Sequence, residues 1–564
     1  MKTRILLAVV TSAVFTALSA CTAPGSAAPP ADLVVINAHV VTVDAISPEA
    51  QAVAIRGGRF VAVGSNAQVR QLIGSATRVI DAGGRTVTPG FADSHLHNAG
   101  GGPGVDLSRT RSLAELLAKV DERVRASKPG ELVVSNADWH EAQLKEQTLP
   151  LRRDLDRIAP NNPVVLIRGG HEYILNTTAL ATWGITKDTP VPAGGEISRY
   201  DDGELNGELV DNARALVKFP PTPALQVEAL AAQLRRLHEV GLTSVRVPGN
   251  PNSAAEWKLW QALKAKGDLT MRVSYNFRIF DFANVDRVRS TIEGWGVLPG
   301  EGDEWLRVDG IKTLVDGGFE GGWMREPYAE PFGRNGTYRG INVVPASAYI
   351  PAVREMNRLG WRVTTHAVGD AAIDLVLDGY EAADRDRSLA GKHWVIEHAF
   401  IARPDHFPRI KKLGLDISVQ NHLYLAGPSL VKYWGPERAA RVTPVRDMLD
   451  QGFLVAGGTD SPVIPYPPLW AFYHFVTRAT IAGGVLGPDQ RITRKEALEL
   501  LTINNARLTG EEKIKGSIEP GKLADLAILS GDLMRVPDEQ LEKIDVLLTI
   551  VGGRVVHQKA DTTF

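Results

Sequence analysis

Short apolar runs typical of β-strands alternate with longer helical stretches through most of this chain of 564 residues. That alternation is the pattern of parallel β/α units, in which each strand is followed by a helix that packs on the sheet. A closed (β/α)8 barrel holds eight such strands, and the chain offers nine candidates. They are residues 91–97, 164–168, 243–247, 272–276, 310–315, 363–366, 394–398, 417–420 and 454–460. We therefore predict an α/β fold, a TIM-like (β/α)8 barrel over residues 86–511.

One of the nine runs has to lie outside such a barrel. The run at 164–168 falls within a long stretch from about residue 106 to 240. We interpret this stretch as an insertion over the mouth of the barrel. Segments that lie over the mouth are a natural place for substrate selection.

The two ends of the chain differ from the middle in their sequence pattern. Residues 32–85 and 512–564 contain short β-rich runs separated by glycine turns, such as Arg56-Gly57-Gly58-Arg59 and Val551-Gly552-Gly553-Arg554. Alternation of this kind predicts small antiparallel sheets. The simplest architecture pairs both ends into one small β-sandwich domain beside the barrel.

The first 21 residues are typical of a secretory signal peptide. Met1-Lys2-Thr3-Arg4 is followed by an apolar run to about Leu18, shorter than the ~20 residues that span a bilayer. Leu18-Ser19-Ala20-Cys21 resembles a bacterial lipobox, so we expect export and a lipid anchor to the membrane through Cys21, in the periplasm or at the cell surface. The alternative is a soluble export signal. Residues 22–31, rich in Ala, Pro, Gly and Ser, predict a flexible tether.

Composition narrows the classes of partner and site. The formal net charge of −2 gives no electrostatic reason to expect nucleic acid, and the hydrophobic fraction of 44% is that of an ordinary globular protein. Small-molecule substrates are favoured, and the oligomeric state stays open. Cys21 is the only cysteine, which excludes an intrachain disulfide and a cysteine zinc cage.

Metal-competent side chains recur at the carboxyl ends of the predicted strands. The first strand-like run ends in His95-Leu96-His97, a weak signal alone, because two histidines at this spacing are commonly surface residues. Later runs end in further candidates, and barrel enzymes place catalysis at this end of the strands. Nitrogen and carboxylate ligands of this type suit zinc or a similar divalent ion. The candidates are His95, His97, Lys312, His366, His398 and Asp460.

Several motifs, taken together and in order, extend this pattern over essentially the whole mature chain. They are Arg168-Gly169-Gly170-His171, Gly194-Gly195-Glu196-Ile197, His366-Ala367-Val368-Gly369-Asp370, Ser418-Val419-Gln420-Asn421-His422 and the segment 516–529. With the metal candidates, they resemble the metal-dependent amidohydrolase superfamily. The branch that they resemble most contains the N-substituted formamide deformylases.

The resemblance implies a role for each candidate. His95, His97 and Asp460 would hold the more buried metal, and His366 and His398 would hold a second. Lys312 lies where the family often carries a carboxylated lysine that bridges two metals, so the site is expected to hold one or two divalent ions, zinc above others.

The resemblance also implies catalytic roles. Asp460 would be the general base that later passes a proton to the leaving amine. His171 would hydrogen-bond the substrate or a reaction oxyanion. Each has a simpler alternative: Asp460-Ser461-Pro462 is typical of a helix cap, and His171 could instead bond a backbone carbonyl. His422 and Arg446 are further candidates for the pocket lining.

We therefore predict an exported metal-dependent hydrolase that uses a metal-activated water to cleave an amide-type C–N bond other than a peptide bond. An ester or lactone hydrolase is the nearest alternative, since the same chemistry attacks either carbonyl. A non-catalytic binding lipoprotein is the alternative from another class. The complete set of six metal candidates favours the enzyme, because a binding protein has no need of all six.

Overall fold

The computed structural model describes residues 29–219, 226–329 and 336–564. Eight parallel strands form the central sheet, and a hydrogen bond from Ser94 N to Gly457 O (3.1 Å) joins the end of the last strand to the end of the first. The predicted (β/α)8 fold is therefore confirmed. Barrel strands 1 to 8 are, in order, Phe91–Asp93, Leu242–Val247, Arg272–Arg278, Leu306–Leu314, Val363–Ala367, Val395–His398, Asp416–Gln420 and Val455–Gly458.

Helices cover the outside of the barrel. Their inward faces are apolar: Ala346–Arg358 buries Tyr349 and Val353, and Asp370–Asp386 buries Ile373 and Val376, all in one core with the strands. Burial of such a face stabilises a helix more than its intrinsic propensity does. The other helices around the barrel are Val227–His238, Ser253–Ala265, Val285–Gly294, Phe407–Leu413, His422–Trp434, Pro436–Ala440, Val445–Asp450, Pro468–Thr477, Arg494–Leu500 and Ile503–Leu508, with a 3₁₀ turn at Pro488–Gln490.

The run at 164–168 lies in a separate five-stranded sheet between barrel strands 1 and 2. Val164–Arg168 pairs antiparallel with Glu172–Leu175, and such hairpin pairing is incompatible with a place in the parallel barrel. The order of strands in this sheet is Gly195–Arg199, Leu205–Asp211, Glu172–Leu175, Val164–Arg168, Val133–Val134. The same region contains helices Leu113–Ala126, Arg152–Ile158 and Thr177–Thr182 and 3₁₀ turns Glu141–Gln143 and Asn212–Leu216.

The ends of the chain form two further sheets, a four-stranded one from the N-terminal part and a six-stranded one from both ends, which share one apolar core. Val53 and Phe60 from the first sheet pack with Val87, Ile528 and Leu548 from the second. The four-stranded sheet has the order Arg59–Gly64, Ala52–Arg56, Leu33–Ile36, Arg78–Asp81. The six-stranded sheet has the order Arg554–Gln558, Val546–Val551, Leu526–Leu529, Thr86–Pro89, His39–Val41, Glu49–Ala50. Helix Asn66–Arg70 and the 3₁₀ turn Asp538–Lys543 complete these ends.

The predicted signal peptide, lipobox and most of the tether, with Cys21, lie outside the described residues. Across residues 29–219, 226–329 and 336–564, no helix is both long and apolar enough to cross a membrane.

Two barrel strands end earlier than the sequence predicts. Strand 1 ends at Asp93 and strand 8 at Gly458, so His95, His97 and Asp460 lie in the turns that follow. The cause is the buried Asp93 carboxylate, which accepts hydrogen bonds from the backbone N–H of His95 (2.9 Å) and of Thr459 (3.1 Å). It pulls both chains out of the strand ladder and holds the two turns together.

A buried ion pair joins the barrel to the sheet built from the chain ends. Arg272, which begins barrel strand 3, donates from Nη2 to Asp525 Oδ1 (2.9 Å) and from Nε to Oδ2 (2.5 Å). Removal of one partner leaves the other charge buried, so we expect Arg272→Met to lower the free energy of unfolding by about 3–5 kcal/mol. Thermal and urea denaturation followed by circular dichroism will measure the loss.

The matched control is the double variant Arg272→Met/Asp525→Leu. It removes both charges and should recover much of the lost stability, because two apolar side chains leave no uncompensated charge. Wild-type stability in the single variant would contradict a structural role for the pair.

Candidate metal centre and substrate pocket

Three of the predicted ligands meet above the carboxyl ends of the barrel strands. His95 Nε2 and His97 Nε2 lie 3.4 and 3.3 Å from the same oxygen, Asp460 Oδ1. That oxygen is buried and makes no hydrogen bond in the structure. The turns after strands 1 and 8 therefore bring one carboxylate oxygen and two imidazole nitrogens to a common point.

The orientation of His95 is set by a charge network inside the barrel. Its Nδ1 lies 2.8 Å from Glu397 Oε2, and Glu397 also accepts hydrogen bonds from Arg246 and Thr364. Since the Glu397 carboxylate accepts a hydrogen bond from Nδ1–H, the lone pair of His95 is on Nε2, toward Asp460. Burial, with the charge of Lys312, lowers the pKa of His95 to about 4, so the ring is neutral as a metal ligand requires.

Lys312 lies at the floor of the cluster, on barrel strand 4. Its Nζ is 3.3 Å from His95 Nε2, and its side chain is buried. Burial lowers the pKa of this amine to about 8, which leaves a substantial neutral fraction near neutral pH. A neutral amine is the form that reacts with carbon dioxide.

His366 is the last residue but one of strand 5 and His398 ends strand 6, with ring centroids 4.5 Å apart. His398 Nδ1 lies 2.6 Å from Gln420 Oε1, and His366 Nε2 lies 3.1 Å from Gly317 O. Each ring therefore uses one nitrogen to donate to an oxygen and keeps the other as an acceptor. The ring of His398 is also 4.9 Å from that of His95, so the second predicted pair adjoins the first group.

The second oxygen of Asp460 has its own partner. His422 Nε2 lies 3.1 Å from Asp460 Oδ2, and both side chains are buried. Although burial alone would raise the pKa of Asp460, His95, His422 and His97 hold it well below its usual range. Asp460 is thus an anion with one oxygen held by His422 and the other facing His95 and His97.

These donors fit a divalent metal. Ligand atoms at tetrahedral zinc lie at about 2.0–2.2 Å from the ion, which places neighbouring ligands about 3.3–3.5 Å apart. The distances from Asp460 Oδ1 to the two histidines, 3.3 and 3.4 Å, match that spacing. His398, His422 and Asp460 form a second group whose ligand atoms are within 4.8 Å of one another. Neutral imidazoles, one anionic oxygen and fixed partners for the outer nitrogens are the donor set that zinc prefers.

His171 reaches the same site from the insertion. The buried Arg168 anchors its turn through Glu141 (2.7 Å) and Glu172 (2.9 Å). His171 Nδ1 lies 2.6 Å from Asp211 Oδ1, which orients Nε2 away from this carboxylate. Gly318 packs so closely under the imidazole that a Cβ there would lie 2.7 Å from His171 Cγ. The ring of His171 lies 5.4 Å from that of His366.

A cavity of about 550 Å³ opens over the cluster. His95, His97, Lys312 and Asp460 line its floor, and insertion residues such as His171 line its side. A smaller cavity of about 30 Å³ continues past His422 and His398, between Phe319, Phe400 and Val463, with room for about two waters. The large cavity can hold a small molecule, and the small one admits only a compact group.

All seven predicted site residues line one or both cavities: His95, His97, His171, Lys312, His366, His398 and Asp460. His422 does so too, but Arg446 does not, because its guanidinium bonds Glu496 (2.8 Å) at a helix end. Sequence reasoning missed Glu397, Gln420 and Asp211, the acceptors that orient His95, His398 and His171. Glu397 directly precedes His398, and a polar residue inside an apolar barrel strand was the available signal.

Comparisons with known proteins agree with this site. A model of the amidohydrolase family matches residues 78–557. The N-substituted formamide deformylase of Arthrobacter pascens is 32% identical over 94% of this chain and 98% of its own. Protein LONG AFTER FAR-RED 3 of Arabidopsis thaliana is 31% identical over 93% of this chain and 92% of its own.

A solved structure is similar over the same extent. An uncharacterized metal-dependent hydrolase from Pyrococcus horikoshii covers 90% of this chain and 99% of its own with a TM-score of 0.65, at 24% identity. At that identity the likeness concerns the fold, whereas the family match and the deformylase span nearly the whole chain. The chain therefore belongs to the amidohydrolase family, the metal-dependent hydrolases that act on carbon–nitrogen bonds other than peptide bonds.

Proposed function

We propose that this protein hydrolyses an N-substituted amide with a compact acyl group, a formamide above others, to a carboxylic acid and an amine. The observation that carries the proposal is the convergence of His95 Nε2 and His97 Nε2 on Asp460 Oδ1 at 3.4 and 3.3 Å. The size of the inner cavity, about 30 Å³, favours a compact acyl group. The name of the Arthrobacter relative, an N-substituted formamide deformylase, supports the same bond.

His95, His97 and Asp460 would hold one zinc ion, and His366 and His398 a second. Bound there, zinc would lower the pKa of a water to about 7 and polarise the substrate carbonyl. Asp460 would accept a proton at Oδ1 and return it to the leaving nitrogen, so that the amine departs neutral. Its other oxygen, 3.1 Å from His422 Nε2, keeps the carboxylate in place during the transfer.

His171 would act on the substrate oxygen. Asp211 accepts from Nδ1 at 2.6 Å and so fixes the ring, which makes Nε2 available in the cavity for the charge that develops on the carbonyl oxygen. Asp211 is thereby a positioning residue for His171.

Lys312 would carry a carbamate. Its buried amine, with a pKa of about 8 and 3.3 Å from His95 Nε2, would attack carbon dioxide and lose a proton to solvent, and the resulting carbamate would supply an anionic oxygen as a metal ligand. We also propose that the protein is exported and held at a membrane through acylated Cys21. The apolar run before Leu18-Ser19-Ala20-Cys21 supports that location.

The function is tested with the purified protein and N-alkylformamides. Chelation should abolish release of the amine, and zinc should restore it. Asp460→Asn should lower kcat by about 10²–10⁴-fold through loss of proton transfer, and His171→Gln by about 10²-fold through loss of oxyanion stabilisation. His393→Gln, at a partly exposed histidine that is paired with Asp416 and does not line the cavities, is the matched control.

Two results would refute the hydrolase. One is a purified protein that contains no divalent metal and gains no activity from zinc or manganese. The other is unchanged kcat in Asp460→Asn. Faster cleavage of the matching formate esters than of the amides would show that the protein is an ester hydrolase instead.

The carbamate is tested separately through Lys312→Ala. The variant should lose most of its metal and activity, because the pocket then lacks an anionic ligand between the ions. Short carboxylates added to the buffer should restore part of both, whereas alkylamines should not. Wild-type protein in ¹³C-bicarbonate should give a carbamate NMR resonance that is absent from the variant. Full metal content in Lys312→Ala would contradict the proposal.

The anchor is tested by expression of the full chain in bacteria. Wild-type protein should fractionate with membranes and incorporate labelled palmitate, whereas Cys21→Ser should do neither, because the thiol is the site of acylation. Equal fractionation of both proteins would contradict lipid anchoring.

A further inference from the structure

Arg278 lines the large cavity over the candidate metal centre. It ends barrel strand 3 and is paired in register with Lys312 on strand 4, so both side chains are on the same side of the sheet. Its Nε is buried and makes no hydrogen bond. The carboxylates of Asp460 and Glu256 are near enough to act on its charge, but among the residues that the structure describes neither forms an ion pair with it. Burial of a guanidinium in this way is unfavourable unless a partner occupies the space beside it.

Arg214 provides a second cation in the same cavity. It follows the last strand of the insertion sheet, and its Nε donates to the backbone oxygen of Asp211 (3.0 Å). Its guanidinium lies over the ring of Tyr173 and, within the described parts of the chain, contacts no carboxylate. It is close enough to Arg278 that its charge contributes to a lowered pKa of that group, to about 10, for which burial is the main cause.

The surroundings of Arg278 are those of a binding surface. Its guanidinium stacks on Phe280 at 3.9 Å from the ring centroid, and Phe280 is partly exposed at the cavity wall. Stacking fixes the guanidinium plane, while its in-plane N–H groups stay available, which is the geometry that takes a carboxylate in two parallel hydrogen bonds.

The carboxylates of the cavity are already committed. Asp460 is turned toward His95 and His97, and Asp211 binds His171. The two arginines line the large cavity but not the small one, and no described carboxylate forms an ion pair with either. A substrate placed with its acyl group at the small cavity would extend its nitrogen substituent toward them.

From this arrangement we propose that Arg278 and Arg214 form an anion subsite, and that the physiological substrate is an N-acyl compound whose nitrogen substituent ends in a carboxylate. The inference rests on the proposed function for the direction of the substrate. The subsite itself rests on the two unpaired guanidinium groups in the cavity. The favoured substrate class is thus N-formyl or N-acyl amino acids with a free carboxylate.

A matched pair of compounds tests the subsite: N-formyl-6-aminohexanoate and the neutral N-hexylformamide. With the metal-loaded full chain, kcat/KM should be about tenfold or more higher for the carboxylate than for the neutral compound, because the carboxylate has the lower KM. The preference should fall about tenfold in Arg278→Gln and by a smaller factor in Arg214→Gln, with metal content unchanged. Arg287→Gln, at an exposed arginine paired with Asp281, should keep the wild-type preference.

Calorimetric titration of the same pair makes the test independent of turnover. If neither compound is cleaved, the proposed hydrolysis fails, yet tighter binding of the carboxylate to wild type than to Arg278→Gln still supports the subsite. Equal affinities for the two compounds would overturn it. A preference that persists in Arg278→Gln would also overturn it, since the carboxylate would then be bound at the metals. A loss of metal in Arg278→Gln would do the same, since Arg278 would then stabilise the Lys312 carbamate instead.

Discussion

The Glu397 carboxylate at the centre of the barrel is the group on which the site depends. It is fully buried, where an unpaired charge would be very unfavourable, and three donors compensate it: Arg246, His95 and Thr364. Although burial alone would raise its pKa, Arg246 and His95 hold that pKa well below the usual range. Glu397 therefore stays ionised and fixes the proton of His95 on Nδ1.

Arg246 connects Glu397 to the other strands of the barrel. The guanidinium also donates from Nε to Asp309 (2.6 Å), and Asp309 accepts from Arg362 (3.0 Å), so barrel strands 2, 4, 5 and 6 share one buried network. At the other side, Asp93 ties the turns after strands 1 and 8 together. The two networks hold His95 and Asp460 from opposite sides, which explains how ligands from strands far apart in sequence meet within 3.4 Å.

The residues that line the site come from two parts of the chain. The barrel provides every candidate metal ligand, whereas the insertion sheet provides His171, Asp211 and Arg214. The joint between them is Arg168, which is buried among carboxylates of the insertion and ion-paired to Glu320 in the loop after strand 4. Because the insertion contains no candidate metal ligand, substitutions in it can alter the cavity wall and leave those ligands in place.

Local pattern was sufficient to predict the barrel, the terminal sheets and the list of candidate ligands. The alternation of apolar runs with helical stretches is a property of neighbouring residues, and His95, His366 and His398 are conspicuous polar residues at the ends of such runs. The hydrogen-bond partners of the site residues could not be predicted from such patterns. For example, nothing near His171 in the chain identifies Asp211, 40 residues later, as its acceptor. The same holds for Arg278: no local pattern shows that it meets Arg214 in one cavity and forms no ion pair with a described carboxylate.

The sequence by itself therefore determined which elements form and which side chains are chemically able to hold a metal. Strand periodicity depends on neighbouring residues, and ligand chemistry depends on the type of each side chain. Only the tertiary structure decided that Asp460 faces both His95 and His97, and that Glu397 and Gln420 fix the histidine protons. It also decided that Arg278 and Arg214 line one cavity, where no described carboxylate forms an ion pair with either. These relations arise from barrel closure, which brings residues hundreds of positions apart into hydrogen-bond distance. Distances and charges of that kind are set by packing in three dimensions, and no short-range pattern records them.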